Sequence, residues 1–235
     1  MLSNSKDLKI IKRVEEHYNY IAQLYPPKQI LGVFLYGSQN YGTDTENSDV
    51  DTKAILVPTL EDLCLNRPVS KEIHLPNGEH CEVKDIREMV KNFRKQNINF
   101  IEILFTKYKI TNLRYDNIWN KYFISQKEDI ARYDMQKGIQ STVHQAIHSI
   151  EQNPTDSKKI SNGLRLQAFI NLYRAGTPYK SCLYLNDEER EILKNIKTGK
   201  TAYLKDPNEL VKELMYFLPN ADSYAPNLER QERID

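Results

Sequence analysis

The chain has 235 residues, 40% of them hydrophobic, which suits one large domain or two small ones sharing an interface; no apolar run approaches the length of a membrane span. A formal net charge of +1 speaks against an extended nucleic-acid footprint. Cys64, Cys81 and Cys182 lie far apart without CxxC spacing, which excludes a disulfide framework or a zinc ribbon and reads as reduced thiols in a cytoplasmic protein.

In chain order, MLSNSKDLKIIKRVEEHYNY lacks the apolar core of a signal peptide. Leu8, Ile11, Val14, Tyr18, Ile21 and Tyr25 recur at three- and four-residue steps and predict an amphipathic helix that Pro26-Pro27 ends. ILGVFLYG predicts a buried strand, SQNYGTDTENS a polar loop, and DVDTKAILVP a second strand closed by Pro58. TLEDLCLNRPVSKEIHLPNGEH reads as irregular, with a turn at Pro76-Asn77-Gly78, and HCEVK as a third short strand. Beyond it the pattern predicts helices over 85–96, 98–107, 115–124, 126–151, 157–175, 186–197 and 206–217, jointed at Asn153-Pro154, Gly176-Thr177-Pro178 and Asp206-Pro207. The final PNADSYAPNLERQERID is expected to fray or dock as an extended tail. Strands early and helices late predict an α+β chain: a sheet-bearing part over residues 1–110 and a mostly helical domain over 111–235.

Asp49 and Asp51, two residues apart, share one face of the second strand, at the mouth of the buried run AILVP. Side by side they repel and lose hydration, a cost that a divalent cation removes. Magnesium takes one or two protein carboxylates plus substrate phosphates, and a pair of such ions serves phosphoryl transfer. Glu82, between Cys81 and Val83, is the candidate third acid. It is preferred to Asp85, which with Glu88 matches a helix capping box. The pair taken alone also fits an exposed strand start or a calcium-like loop, although the glycine of an EF-hand is missing.

Gly37-Ser38 follows the first strand directly. Glycine lets the backbone turn sharply and approach a ligand, and the loop amides with the Ser38 hydroxyl suit phosphate oxygens. There is no GxxxxGKS/T, so this is not a P-loop. Taken together, strand, Gly37-Ser38, Asp49-Val50-Asp51 and a later strand acid at Glu82 resemble the DNA polymerase β-like nucleotidyltransferase superfamily. GSQNYGTDTENSDVDTKAI and VKDIREMVKNFRKQNINFIEILFTKY look more narrowly like a bacterial and phage branch of minimal nucleotidyltransferases, over residues 30–110. The resemblance implies a small mixed β-sheet flanked by helices and an enzyme that attacks the α-phosphorus of a nucleoside triphosphate, with ATP the expected nucleotide, and releases pyrophosphate. It implies two Mg2+ ions, with Mn2+ as a substitute, held by Asp49, Asp51 and Glu82. Glu82 would also help deprotonate the acceptor, and Gly37 and Ser38 would hold the β- and γ-phosphates. The third acid is often Asp in that superfamily, and Glu is one methylene longer.

Residues 106–180 carry 12 basic and 6 acidic side chains, a zone that reads as solvated helix faces or as a field that steers a polyanion. Lys158, Lys159 and Arg165 within it are candidates for clamping a phosphate. His144 and His148 have metal-ligand spacing without the Glu of HExxH, and read as helix surface or core. Phe100, Ile101, Leu104 and Phe105 form a helical core stripe. Three functions remain in competition. The first is a nucleotidyltransferase acting on a hydroxyl of an RNA end, a protein side chain or a small molecule. The second is a nucleotide-binding regulator or antitoxin-type partner without turnover, and the third a hydrolase using water.

Overall fold

The computed structural model of the chain describes residues 5–46, 48–203 and 206–219. It is an α+β structure in which a five-stranded mixed sheet, in the order β3-β4-β2-β1-β5, is flanked by helices. The strands are β1 (Ile30–Tyr36), β2 (Asp51–Leu56), β3 (Ser70–His74), β4 (His80–Asp85) and β5 (Lys109–Thr111). β2 and β4 run parallel, while the other neighbours pair antiparallel. The tail predicted for the carboxy terminus lies, from residue 220 onward, outside the described residues.

Alternation along β1 and β2 sends side chains to two separate cores. Val33, Leu35 and Ala54 pack with Ile10, Val14 and Ile21 of α1 (Ser5–Leu24). On the other face, Phe34 and Ile55 join Met89 and Phe93 of α4 (Ile86–Arg94), Phe100 and Ile101 of α5 (Ile98–Ile101) and Trp119 of α6 (Asp116–Trp119). The same cluster continues to Val143 of α8 (Met135–Gln152) and to Phe169 and Tyr173 of α9 (Ser157–Arg174), so the sheet and the later helices share one core. α9 packs against α8, α10 (Tyr179–Tyr184), α11 (Asp187–Lys197) and α12 (Pro207–Met215). It therefore buries residues almost all round, Ile160, Arg165 and Leu166 among them. Among the described residues no helix is long and apolar enough to cross a membrane.

Several boundaries differ from the sequence reading for identifiable reasons. The buried stripe of α1 is Ile10, Val14, His17 and Ile21, and Leu8 is 58% exposed; the helix is rotated to bring His17 against Thr52 and Glu79. The segment read as irregular holds α3 (Leu60–Cys64), whose Thr59–Asp62 capping box is complete, and the edge strand β3. The turn expected at Pro76-Asn77-Gly78 is present, and it joins β4 to the unforeseen β3. The helix predicted over 126–151 is two, α7 (Lys127–Ala131) and α8. Asp134 caps α8 by accepting from the Lys137 amide at 2.9 Å, and the Arg132 guanidinium turns away to the carbonyls of Tyr173 and Thr177. All three cysteines are free, and burial pushes the thiols of Cys81 and Cys182 up to about 11.

The Phe34 ring lies 4.7 Å from that of Trp119, centroid to centroid, where the sheet meets the helices. Phe34→Ala is expected to cost about 3–5 kcal/mol in urea unfolding. Leu113→Ala, at a residue 86% exposed, is expected to change stability by less than about 0.5 kcal/mol.

Candidate functional site

β1 ends at Tyr36 and the chain turns through Gly37 into α2 (Ser38–Tyr41). Gly37 has φ +79°, and a Cβ there would lie 3.0 Å from Asp51 Oδ2, so the turn both needs glycine and brings its backbone against an acid. Below it, Glu102 is buried and accepts from the Gly37 amide at 3.3 and 3.4 Å and from Asn40 Nδ2 at 3.1 Å. Burial pushes the Glu102 carboxyl up to about 7, against the pull of Arg165, the Asn40 bond, Lys53 and the Gly37 amide.

β2 starts at Asp51, so Asp49, read from the sequence as part of the strand, stands just before it, where the pairing with β1 and β4 has not yet begun. Gln39 Nε2 holds this approach by donating to the carbonyls of Ser48 at 2.8 Å and Asp49 at 3.3 Å. The Asp51 carboxyl is raised above its ordinary value, first by burial and also by Asp49, against the charges of His80, Lys158 and Lys53. His80 Nε2 lies 3.3 Å from Asp51 Oδ1.

Above the buried Glu102, the Gly37 turn, the two acids and His80 line a cavity of about 670 Å³. Gly37, Ser38, Asp49 and Asp51 come from the sheet side, and Lys158, Lys159 and Arg165 of α9 with Lys197 of α11 come from the helices. Arg165 is buried, its guanidinium 4.0 Å above the Tyr41 ring, with Nε and Nη2 donating to Asn162 Oδ1 at 3.3 and 3.1 Å. Lys197 Nζ donates to the Thr43 carbonyl at 3.0 Å; burial, and then Lys158, hold this amine below its usual value. All three basic candidates from the sequence thus reach the cavity. His144 and His148 lie on the exposed side of α8, and the predicted stripe of Phe100, Ile101, Leu104 and Phe105 is buried core.

Glu82 is placed differently. The parallel register sets it beside Lys53, one step along from Asp51, and His80 takes the place beside Asp51. Lys53 is 2% exposed, its ammonium 3.7 Å from the centre of the Tyr36 ring and 4.5 Å from that of Phe100, and it pairs with Glu82 Oε2. Lys84 takes Oε1 at 3.1 Å. Glu82 lines a neighbouring depression of about 450 Å³, from which Tyr36 and His80 separate the main cavity. Asp85 caps α4 by accepting from the Arg87 amide at 2.8 Å and pairs with the Arg87 guanidinium, but the expected capping box with Glu88 does not form, because the Asp85 amide donates to the Val69 carbonyl at 2.9 Å.

Asp49 and Asp51 fit magnesium in kind. They are hard oxygen donors on a cavity wall, one of them disfavoured as an anion by burial, with room for phosphate and water to complete the shell. Glu82 as placed faces two lysines instead of this pair. Among the described residues, no three His, Cys, Asp or Glu side chains converge closely enough to hold an ion. No protein-family model and no curated protein matches the chain.

Local sequence reasoning passed over Glu102, although a lone acid inside INFIEILF was a signal; it also missed Lys53 and His80, each one alternation from a named acid. Lys197, 146 positions from Asp51, carried no local signal. Glu102 generates a pH prediction. Its folded value of about 7 exceeds the ordinary 4.5, so the folded state binds more protons between those values. Its contribution is complete below pH 4.5 and is lost as pH rises through 7. In unfolding measurements across that window, wild type is expected to lose up to about 3 kcal/mol relative to Glu102→Gln.

Proposed function

We propose that the chain is a magnesium-dependent nucleotidyltransferase of the polymerase β-like superfamily, moving a nucleoside monophosphate from a nucleoside triphosphate to a hydroxyl. The observation that carries this reading is the sorting of charge around one cavity. Two carboxylates and a glycine–serine turn stand on the sheet wall, and Lys158, Lys159, Arg165 and Lys197 stand on the helical walls, where the one acid among the described residues, Asp156, is engaged in capping α9. Such a cavity suits a cation–triphosphate complex, the acids for the cation and the basic groups for the phosphates. Its volume of about 670 Å³ lies in the range of nucleotide-sized sites.

In this reading the acceptor hydroxyl gives up its proton to solvent, its oxygen forms a bond to the α-phosphorus, the bond from that phosphorus to the bridging oxygen breaks, and pyrophosphate leaves. When bound, magnesium supplies Lewis-acid charge to the phosphates and the attacking hydroxyl. Asp49 and Asp51 would hold it, with Mn2+ able to replace it; Glu82, paired with Lys53 and Lys84 in the neighbouring depression, is not placed to share that ion. The Gly37 amide is engaged by Glu102, so Gly37 serves by its conformation and close approach, and Ser38 is left to bond the phosphates. The basic side chains of α9 and α11 would orient the triphosphate, with ATP the expected nucleotide. The acceptor is an RNA end, a protein side chain or a small molecule in a cytoplasmic setting.

One observation favours a second reading. Both oxygens of Glu82 are engaged by lysines, which suits a nucleotide-binding regulator that does not turn over. Incubation with magnesium and each α-labelled nucleoside triphosphate, with and without RNA and protein extract, separates the two. Transfer predicts label in one acceptor class and matching pyrophosphate. Asp49→Asn or Asp51→Asn should lower it by more than about 100-fold, beyond the effect of most outer-shell partners, while circular dichroism stays unchanged. Nucleotide binding without label or pyrophosphate favours the regulator, and full activity in Asp51→Asn contradicts the paired-acid site.

A further inference from the structure

Glu79 is a buried acid for which the proposed reaction has no use. It closes the turn into β4: its carbonyl accepts from the Leu75 amide at 2.7 Å, and its amide donates to Asn77 Oδ1 at 3.0 Å. Its carboxylate does something the turn does not require. Oε1 accepts from the amide of Val50, the residue between Asp49 and Asp51, and from the Arg13 guanidinium. Oε2 faces His17 Nε2 at 3.1 Å and accepts from Asn77 Nδ2 at 2.8 Å. His17 Nδ1 lies 2.7 Å from Thr52 Oγ1. An ionised carboxylate accepts only, so the His17 proton sits on Nε2, and the Thr52 hydroxyl donates to Nδ1.

Val50 and Thr52 flank Asp51 and face the α1 side of the sheet, opposite the acids. Regular pairing of β2 with β1 begins at Asp51 and with β4 at Thr52, so the Asp49–Val50 backbone lies outside both ladders. Two side chains fix it there: Gln39 on the carbonyls of Ser48 and Asp49, and Glu79 on the amide of Val50. A carboxylate 1% exposed is costly to bury unless donors surround it. Here four groups, from α1, the turn and the approach to β2, do so. Burial alone would raise Glu79, yet the Val50 amide, His17 and Arg13 bring it below its ordinary value.

We propose that Glu79 is the positioning residue of the Asp49–Asp51 pair, setting the separation and aim of the two carboxylates from behind the sheet. The proposal rests on the reading of that pair as a cation site. In an aliphatic replacement the pair loses its fixed spacing.

The test compares Glu79→Ala and Glu79→Gln with Thr59→Ala, which removes the α3 capping box and is a control for modest loss of stability. Mn2+ alone is the binding probe, read by electron paramagnetic resonance, and an assigned 15N–1H spectrum follows the amides of residues 49–51. Glu79→Ala should move all three resonances and weaken Mn2+ binding by at least about tenfold, the lower bound for an outer-shell partner. Glu79→Gln, whose amide oxygen can still accept from Val50, should recover part of both. Thr59→Ala should bind Mn2+ as wild type does. Unchanged Asp49 and Asp51 resonances with wild-type Mn2+ affinity in Glu79→Ala overturn the proposal, as does an equal loss in Thr59→Ala. Should Glu79→Ala fail to fold, Glu79→Gln decides, since a positioning role requires intermediate Mn2+ affinity there. Wild-type protein that binds no Mn2+ contradicts the cation site itself; positioning is then judged on the Asp49 and Asp51 resonances alone.

Discussion

The parallel pairing of β2 with β4 is the constraint on which the rest of the molecule depends. It places Lys53 beside Glu82, and the same alternation brings His80 to Asp51, all on the face that looks toward the helices. Thr52 and Cys81 pair on the opposite face, where Thr52 meets His17 of α1. Because alternation in a strand is strict, a slip of one residue would carry both β2 carboxyl and ammonium groups to the α1 side and would exchange Ala54 for Ile55 in the cores. The apolar residues of the strand therefore fix the position of its charged ones. Two buried clusters, one on each face, hold that register.

The charges of the site are organised by distance from the sheet. Asp49 and Asp51 stand at the mouth of β2, Lys53 is sealed deeper between Tyr36 and Phe100, and Glu102 closes the floor under the Gly37 turn. Arg165 and Lys197 face the acids from α9 and α11. A net charge of +1 conceals this arrangement, since it sums all 33 basic and 32 acidic residues of the chain and carries no information about where they stand. Buried groups of this kind stabilise little by themselves, because the loss of hydration offsets much of the attraction between them. What they supply is a fixed field inside a small volume, which a triphosphate and its cation would experience at full strength.

The sequence made the strong local features legible. ILGVFLY is a short apolar run bounded by turn residues, DTKAIL leads into the apolar AIL, HCEVK alternates apolar and polar side chains, and all three are strands. The glycine–serine turn was readable because the need for positive φ is a local property; the acids were readable as a pair, although Asp49 lies just before β2 and not on it as strand alternation had predicted. Failures followed where tertiary contacts decide. β5 has three residues and exists because it pairs with Gly32, Val33 and Phe34 of β1. β3 is largely exposed and exists as the partner of β4. The inward stripe of α1 was misassigned at His17, a polar residue buried because Thr52 and Glu79 satisfy it. Glu82 was placed on the right strand, but its neighbour, Lys53, depends on a register between strands 29 residues apart, which no window of sequence contains.

The measurement that bears most directly on the central claim is a diffraction experiment on crystals grown with Mn2+ and an ATP analogue blocked between the α- and β-phosphates. Anomalous scattering locates the cation independently of the surrounding chain. A peak is expected between the Asp49 and Asp51 carboxylates and the phosphates, with the triphosphate lying between Ser38 and the basic groups of α9 and α11. An ordered nucleotide elsewhere on the molecule, or one in this cavity with no cation at Asp49 and Asp51, would contradict that claim.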